Sequence, residues 1–114
     1  MNKLKISFDF DSTLERTEIQ ALAESMLTSK HEVWIVTTRS PTADNRDMLE
    51  VAKSLMIPLG KIIFTHYKDK APFLRRFDFH FDDDPHEVEM IMASQSKCVP
   101  MLVPVKIRDN YQLP

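Results

Sequence analysis

Glycine is almost missing from this chain: 114 residues hold one, Gly60. A Walker-type phosphate loop and a dinucleotide-binding fingerprint both need several glycines at fixed spacing, so neither can be present. Cysteine is equally scarce. Cys98 stands alone, which excludes an intrachain disulfide and a thiolate zinc cluster. With no base at a diagnostic spacing, it reads as a small buried hydrophobe rather than a nucleophile. Apolar runs long enough to span a bilayer are absent. The strand-like start reaches an acidic pair by residue 9 and leaves no room for a signal peptide, so the expected setting is the reducing cytoplasm. An excess of charge of one sign is lacking too. Fifteen Lys and Arg face seventeen Asp and Glu, for a formal net charge of -2. That balance argues against a dominant non-specific hold on nucleic acid, although a local basic groove stays open.

What is present is ordinary globular material, 43% hydrophobic and 28% charged. A chain of this length reads as one domain over 1–114, large enough to bury a core without staples. It shows no internal repeat, and its seven methionines read as core filler.

Residues 4–8 read as a buried strand ending at Asp9, followed by a loop over 11–16. Thr17, Glu18, Ile19 and Gln20 resemble a capping box, and Ile19, Leu22, Ala23, Met26 and Leu27 recur at helical spacing. A helix over 17–29 follows. Residues 33–37 are apolar and β-branched, as in a parallel strand covered on both faces. A helix over 44–56 comes next, closed by Pro58 and Gly60. A short strand at 61–64 leads to a polar loop over 65–70. A short helix over 70–76, capped by Asp69, precedes a strand over 77–81. Asp84 then caps a helix opened by Pro85, with Glu87 in its first turn and Val88, Ile91 and Met92 facing the core. The last strand falls within 99–105, where Pro100 and Pro104 suit an edge position. The tail over 108–114 carries no clear signal. This alternation predicts a three-layer α/β/α Rossmann-like sandwich around a five-stranded, mainly parallel sheet.

In such a sheet the carboxyl ends of the parallel strands share one edge, where ligand sites form. Four segments deliver polar residues there: Asp9 and Asp11, then Thr37, then Lys68 or Lys70, then Asp82 and Asp83. Asp9 and Asp11 lie two apart, so in an extended chain their side chains start on one side. Carboxylates so close repel one another unless a cation or proton intervenes. Asp9 with Asp82, plus a backbone carbonyl near Asp11, could hold Mg2+. Thr37 and a lysine could then hold phosphoryl oxygens. One aspartate could attack phosphorus while a second, for which Asp11 is suited, moves the proton.

The set resembles the haloacid dehalogenase superfamily of phosphotransferases. Phe8-Asp9-Phe10-Asp11-Ser12-Thr13-Leu14 is similar to its DxDxT motif, and Val36-Thr37-Thr38-Arg39 to its second. Lys70, or less favourably Lys68 or Lys61, resembles the lysine of the third. Phe79-His80-Phe81-Asp82-Asp83-Asp84-Pro85 resembles the acidic fourth. The four stand in family order across residues 6–85. The resemblance implies Asp9 as nucleophile, Asp11 as general acid/base, and Thr37 and Lys70 as phosphate binders. Within a metal set of Asp9, Asp11, Asp82 and Asp83, it implies Asp82 as the ligating carboxylate and Asp83 as a ligand behind it or acting through water. It implies Mg2+-dependent phosphoester hydrolysis through an aspartyl-phosphate. Ser12 and Thr38 stand where the family often has glycine, which matters only if the backbone needs positive φ there.

With one helix in each place where family members insert a cap, the chain resembles a minimal, uncapped member. Such a site admits large phosphorylated substrates, a nucleotide, a nucleic-acid end or a phosphoprotein among them, and could equally be closed by a partner or an oligomer; in its minimal form the chain resembles the phosphatase half of polynucleotide kinases. Two other readings stay open. One is a catalytically silent interaction or regulatory domain of the same fold. The other is a phospho-receiver, whose acceptor after the third strand would have to be Asp69; the DxD after the first strand argues against it. A zinc site built on His66, His80 and His86 is disfavoured, because His80 lies inside a strand. Arg39, Arg75 and Arg76 fit either solvated surface or a phosphate-friendly rim.

Overall fold

The structure is a computed structural model and describes residues 3–104. Its strands are β1 Lys5–Phe8, β2 Glu32–Thr37, β3 Ile62–Phe64, β4 Phe79–Asp82 and β5 Val99–Leu102. They form one sheet in the order β3-β2-β1-β4-β5. Every adjacent pair is parallel, so the sheet is wholly rather than mainly parallel. Three α-helices accompany it: α1 Thr17–Thr28, α2 Arg46–Ser54 and α3 Pro85–Ala93. The result is a Rossmann-like three-layer α/β/α sandwich with no cap among the described residues. No helix among them is long and apolar enough to cross a membrane.

Alternation along the strands sends side chains into two cores. Ile6, Phe8, Val33 and Ile35 pack against Ala23 of α1 and Met48 and Ala52 of α2. On the other face Val36 meets Leu74, Phe77, Cys98 and Ile91 of α3, with Trp34 beside them. Phe8 and Phe81 are register partners and stack with ring centroids 4.9 Å apart. Burying one such ring is worth about 2–3 kcal/mol, so these two cores are what hold the strand ends in place.

Local chemistry corrects several sequence expectations. Thr17 is not an N-cap. It is the first helical residue, after an extended Arg16, and the turn is tied instead by Gln20 Nε2 donating to the Glu15 carbonyl at 3.2 Å. Asp69 caps nothing: the short helix is a 3-10 turn, Ala71–Phe73, preceded by Lys70, and Asp69 pairs with His86 at 3.2 Å. Asp84 does cap α3, accepting from the His86 N–H at 2.9 Å. Neither Pro58 nor Gly60 closes α2. Met56 does so in the left-handed region at φ 61, with Ile57 N–H donating to the Ala52 carbonyl.

The edge strand behaves as its prolines suggest. Val99 N–H donates to Asp78 and Val103 N–H to Asp82, so odd-numbered amides face β4. Pro100 and Pro104 fall at even positions, where they delete donors from the open edge.

After β1 the chain does not form a simple loop. Residues Phe10–Leu14 make one wide turn, closed by Leu14 N–H to Asp9 and Glu15 N–H to Phe10, both at 3.0 Å. Phe10 and Leu14 drop back into the core. Ser12 at the apex takes φ 60, so the position usually given to glycine does need positive φ. Thr38 does not.

Candidate active site

The chain lays β2 and β3 on one side of β1, then returns to place β4 and β5 on the other. This reversal opens a crevice above the carboxyl ends of β1 and β4, where ligands of open parallel sheets sit. A polar cleft of about 260 Å³ occupies that place. Asp9, Lys70, Asp82, Asp83 and Glu87 line its floor, and Asp11, Ser12, Thr38 and Asp84 its rim.

Lys70 is the centre of the floor. Its side chain is buried, and Nζ donates to Asp9 Oδ1 at 2.7 Å and to Asp82 Oδ2 at 2.6 Å. A constrained loop delivers it. His66 and Tyr67 both take positive φ, Tyr67 N–H donates to the Thr38 carbonyl at 2.7 Å, and Thr65 Oγ1 donates to the Lys68 carbonyl at 2.6 Å. Glu87 completes the hold by accepting from the Lys70 N–H at 3.0 Å. Of the three candidate lysines, the structure brings this one to the acids. Lys68 is exposed, and Lys61 pairs with Glu32 at 3.4 Å beside the opposite strand ends.

Asp9, Asp82 and Asp83 each offer an oxygen within 4.8 Å of the others. Asp9 leaves β1 with its N–H still donated to Phe81 at 2.9 Å, and Thr13 Oγ1 donates to Asp83 Oδ1 at 3.1 Å. Burial, reinforced by the Asp82 charge, pushes the Asp9 carboxyl up to about 8, against the pull of Lys70. Asp82 moves the other way. Burial opposes its charge, but the hydrogen bond from His80 and the nearby Lys70 ammonium hold it below the ordinary carboxylate range. Lys70 is buried against its charge, yet Asp9 and Asp82 raise it above its ordinary value. One ammonium therefore faces three carboxylates. Full ionisation leaves two negative charges uncompensated, which suits a divalent ion with a preference for hard oxygen ligands.

Asp11 is not brought into this trio. Its half-exposed carboxylate accepts from Arg39 Nη2 at 2.7 Å and Nε at 3.1 Å. Arg39 in turn donates to both oxygens of Asp47, at 2.7 and 3.0 Å, and its guanidinium lies over the Phe10 ring. Thr37 is fully buried, and its hydroxyl oxygen accepts from the Arg39 N–H at 3.2 Å. Thr38 forms the cleft wall at that strand end.

Sequence reasoning did not give four residues the roles they take at this site. Asp47 anchors Arg39 from the first turn of α2, and Glu87 receives the Lys70 amide. Beneath Asp82, His80 bridges it to Ser7. A signal for this last pair did exist: Ser7 and His80 are polar residues two before an aspartate, on strands otherwise built for burial. Comparison with known protein families and with curated proteins returns no match for this chain.

Proposed function

We propose that the protein is a divalent-cation-dependent phosphoester hydrolase of haloacid dehalogenase type, with Asp9 as nucleophile. The observation that carries this reading is the Lys70 ammonium buried between Asp9 and Asp82 at 2.7 and 2.6 Å, beside a third carboxylate. Burying so many charges is costly for a fold, and phosphoryl transfer needs this combination of anion, cation and hard-ion ligands.

The residues divide the work. Lys70 holds Oδ1 of Asp9, so the other oxygen attacks phosphorus as the bond to the leaving oxygen breaks. Asp11 gives that oxygen its proton. Water then attacks the aspartyl-phosphate, Asp11 takes a proton back, and the bond from Asp9 to phosphorus breaks to release phosphate. Asp9, Asp82 and Asp83 would hold the divalent ion, expected to be Mg2+, which when bound offsets charge on the phosphoryl oxygens. Lys70 and the Thr37–Thr38 segment would receive those oxygens. Arg39 must release Asp11 or travel with it, since the two are joined by two hydrogen bonds. No element covers the cleft among the described residues, which favours large substrates such as a phosphorylated nucleic-acid end or nucleotide.

The test is a phosphoester panel with Mg2+, including nucleotides and 3′- and 5′-phosphorylated oligonucleotides. Turnover should vanish in chelator and in Asp9→Asn with folding intact. Full activity in that variant removes Asp9 as nucleophile. Absence of turnover across the panel by the folded wild-type protein favours the silent-domain reading, in which the Arg39 clamp on Asp11 is permanent.

A further inference from the structure

The chemistry above leaves the polar pair beneath Asp82 without a task. Ser7 on β1 and His80 on β4 are register partners, and neither has exposed surface. They share a sheet face with Trp34 and Val36, whose surroundings are apolar. An apolar pair would fill this place with no polar atoms to satisfy. Instead His80 Nδ1 lies 2.7 Å from Ser7 Oγ, and Nε2 lies 2.7 Å from Asp82 Oδ2. A carboxylate only accepts, so Nε2 carries the proton and Nδ1 accepts a hydrogen bond from the Ser7 hydroxyl. The other acceptor near Ser7 Oγ, the Phe79 carbonyl, is distant at 3.5 Å. Asp82 Oδ2 also receives Lys70 Nζ at 2.6 Å, while Oδ1 receives the Asp84 N–H at 3.1 Å. Without His80, the Lys70 ammonium and one backbone amide would be all that fix the plane of this carboxylate.

We propose that Ser7 and His80 are a positioning pair: Ser7 fixes the tautomer and ring of His80, and His80 fixes the Asp82 carboxylate in the orientation that joins Asp9 and Asp83 around a divalent cation. The inference rests on the reading of the acidic trio as a cation site. Its logic is that of outer ligand shells, in which a buried hydrogen bond sets the aim of a ligand that it does not replace. A histidine that merely satisfied the core would affect stability and leave cation affinity alone. The glutamine side chain can present an N–H near the place of Nε2; leucine cannot.

The experiment measures Mn2+ binding to the full chain by electron paramagnetic resonance, without substrate, alongside thermal unfolding without metal. His80→Leu should weaken binding by about tenfold or more while folded, the range for outer-shell partners, and His80→Gln should recover most of that loss. Ser7→Ala should weaken it by a smaller factor. Folded His80→Leu that binds as the wild type does overturns the proposal, and so does His80→Gln as weak as His80→Leu. Should His80→Leu fail to fold, Ser7→Ala decides, and unchanged affinity there overturns it. A wild-type protein that binds no Mn2+ defeats the cation-site reading itself and this inference with it.

Discussion

Asp9 shows how a single side chain can carry opposing demands. Its carboxyl sits at about 8, chiefly through burial, whereas an unfolded chain releases that proton near 3.8. The folded state therefore binds the proton more tightly between those values. The stability this group contributes is full below about 3.8 and is lost as pH rises through about 8. Asp82 has the opposite sign: held low by His80 and Lys70 against its burial, it contributes above the ordinary carboxylate range and loses that as pH falls. A divalent ion bound as proposed would displace the Asp9 proton, so binding at pH 6–7 should release close to one proton. Affinity should improve by up to about tenfold per pH unit toward 8 and then level off. Calorimetry in buffers of different ionisation heat reads that proton directly, and none released at pH 6.5 would contradict the assignment. Cys98 makes a simpler case. Burial pushes its thiol up to about 11, so it should resist alkylation at neutral pH until the chain is unfolded. Asp9, Asp82 and Asp83 were legible in the sequence because each stands at or just after the end of a strand that the apolar pattern marks, whereas Lys70 was legible by position only as one of two lysines in the loop after β3. Asp47 and Glu87 were not: their partners, Arg39 and the Lys70 amide, are fixed by tertiary placement, which no periodicity encodes. The side chain of Asp11 was given its acid/base role by motif, and only the fold reveals Arg39 against it.

At the scale of elements, the missing glycine has a visible consequence. All three helices end on a left-handed residue that is not glycine: Lys30 after α1 at φ 71, Met56 after α2 at φ 61, and Gln95 after α3 at φ 58. Lys30 and Met56 complete paired terminal bonds, with His31 N–H to Met26 and Ile57 N–H to Ala52. A side chain in this region costs about 1–2 kcal/mol, offset partly by the freedom that glycine adds to the unfolded chain. Each of Lys30→Gly, Met56→Gly and Gln95→Gly should therefore stabilise by about 0.5–1 kcal/mol. All three side chains are exposed, and each closes a different helix, so near-additive effects are expected. Denaturant midpoints check this, and a triple variant no more stable than the parent would show that these ends are not strained. The helices themselves were readable from their 3.6-residue pattern, and the strands from β-branched runs. Their ends were not, because a cap depends on where one amide points. Thr17 has the right chemistry for an N-cap, yet the chain enters the helix one residue earlier. Gly60 has the right chemistry for a stop, yet Met56 already closes the turn.

For the whole molecule, the decisive feature is an open polar cleft whose described walls are acidic. Six carboxylate residues line it against one lysine, and that lysine is buried and engaged by two of them. The formal net charge of -2 adds no compensating field. A protein that gathers nucleic acid on a basic surface loses about 10³–10⁵ in affinity between about 50 and 200 mM salt, through lost counterion release. Nothing in this cleft releases counterions on that scale. If the substrate is a phosphorylated oligonucleotide, its terminal phosphate should be held by the cation and Lys70 while the rest of the strand meets negative walls. Added monovalent salt should then screen repulsion as much as attraction. The KM for a 3′- or 5′-phosphorylated oligonucleotide, at saturating Mg2+, should stay within about threefold across that salt range, far from the steep slope of a phosphate-tracking surface. It should also stay close to the KM for the matching mononucleotide, because only the terminal group finds a favourable site. Steady-state kinetics on the two substrates at three salt concentrations check both statements. A KM for the oligonucleotide that climbs tenfold or more with salt, while that for the mononucleotide holds, would reveal a basic contact surface for the strand and overturn the picture of recognition confined to the phosphoryl group.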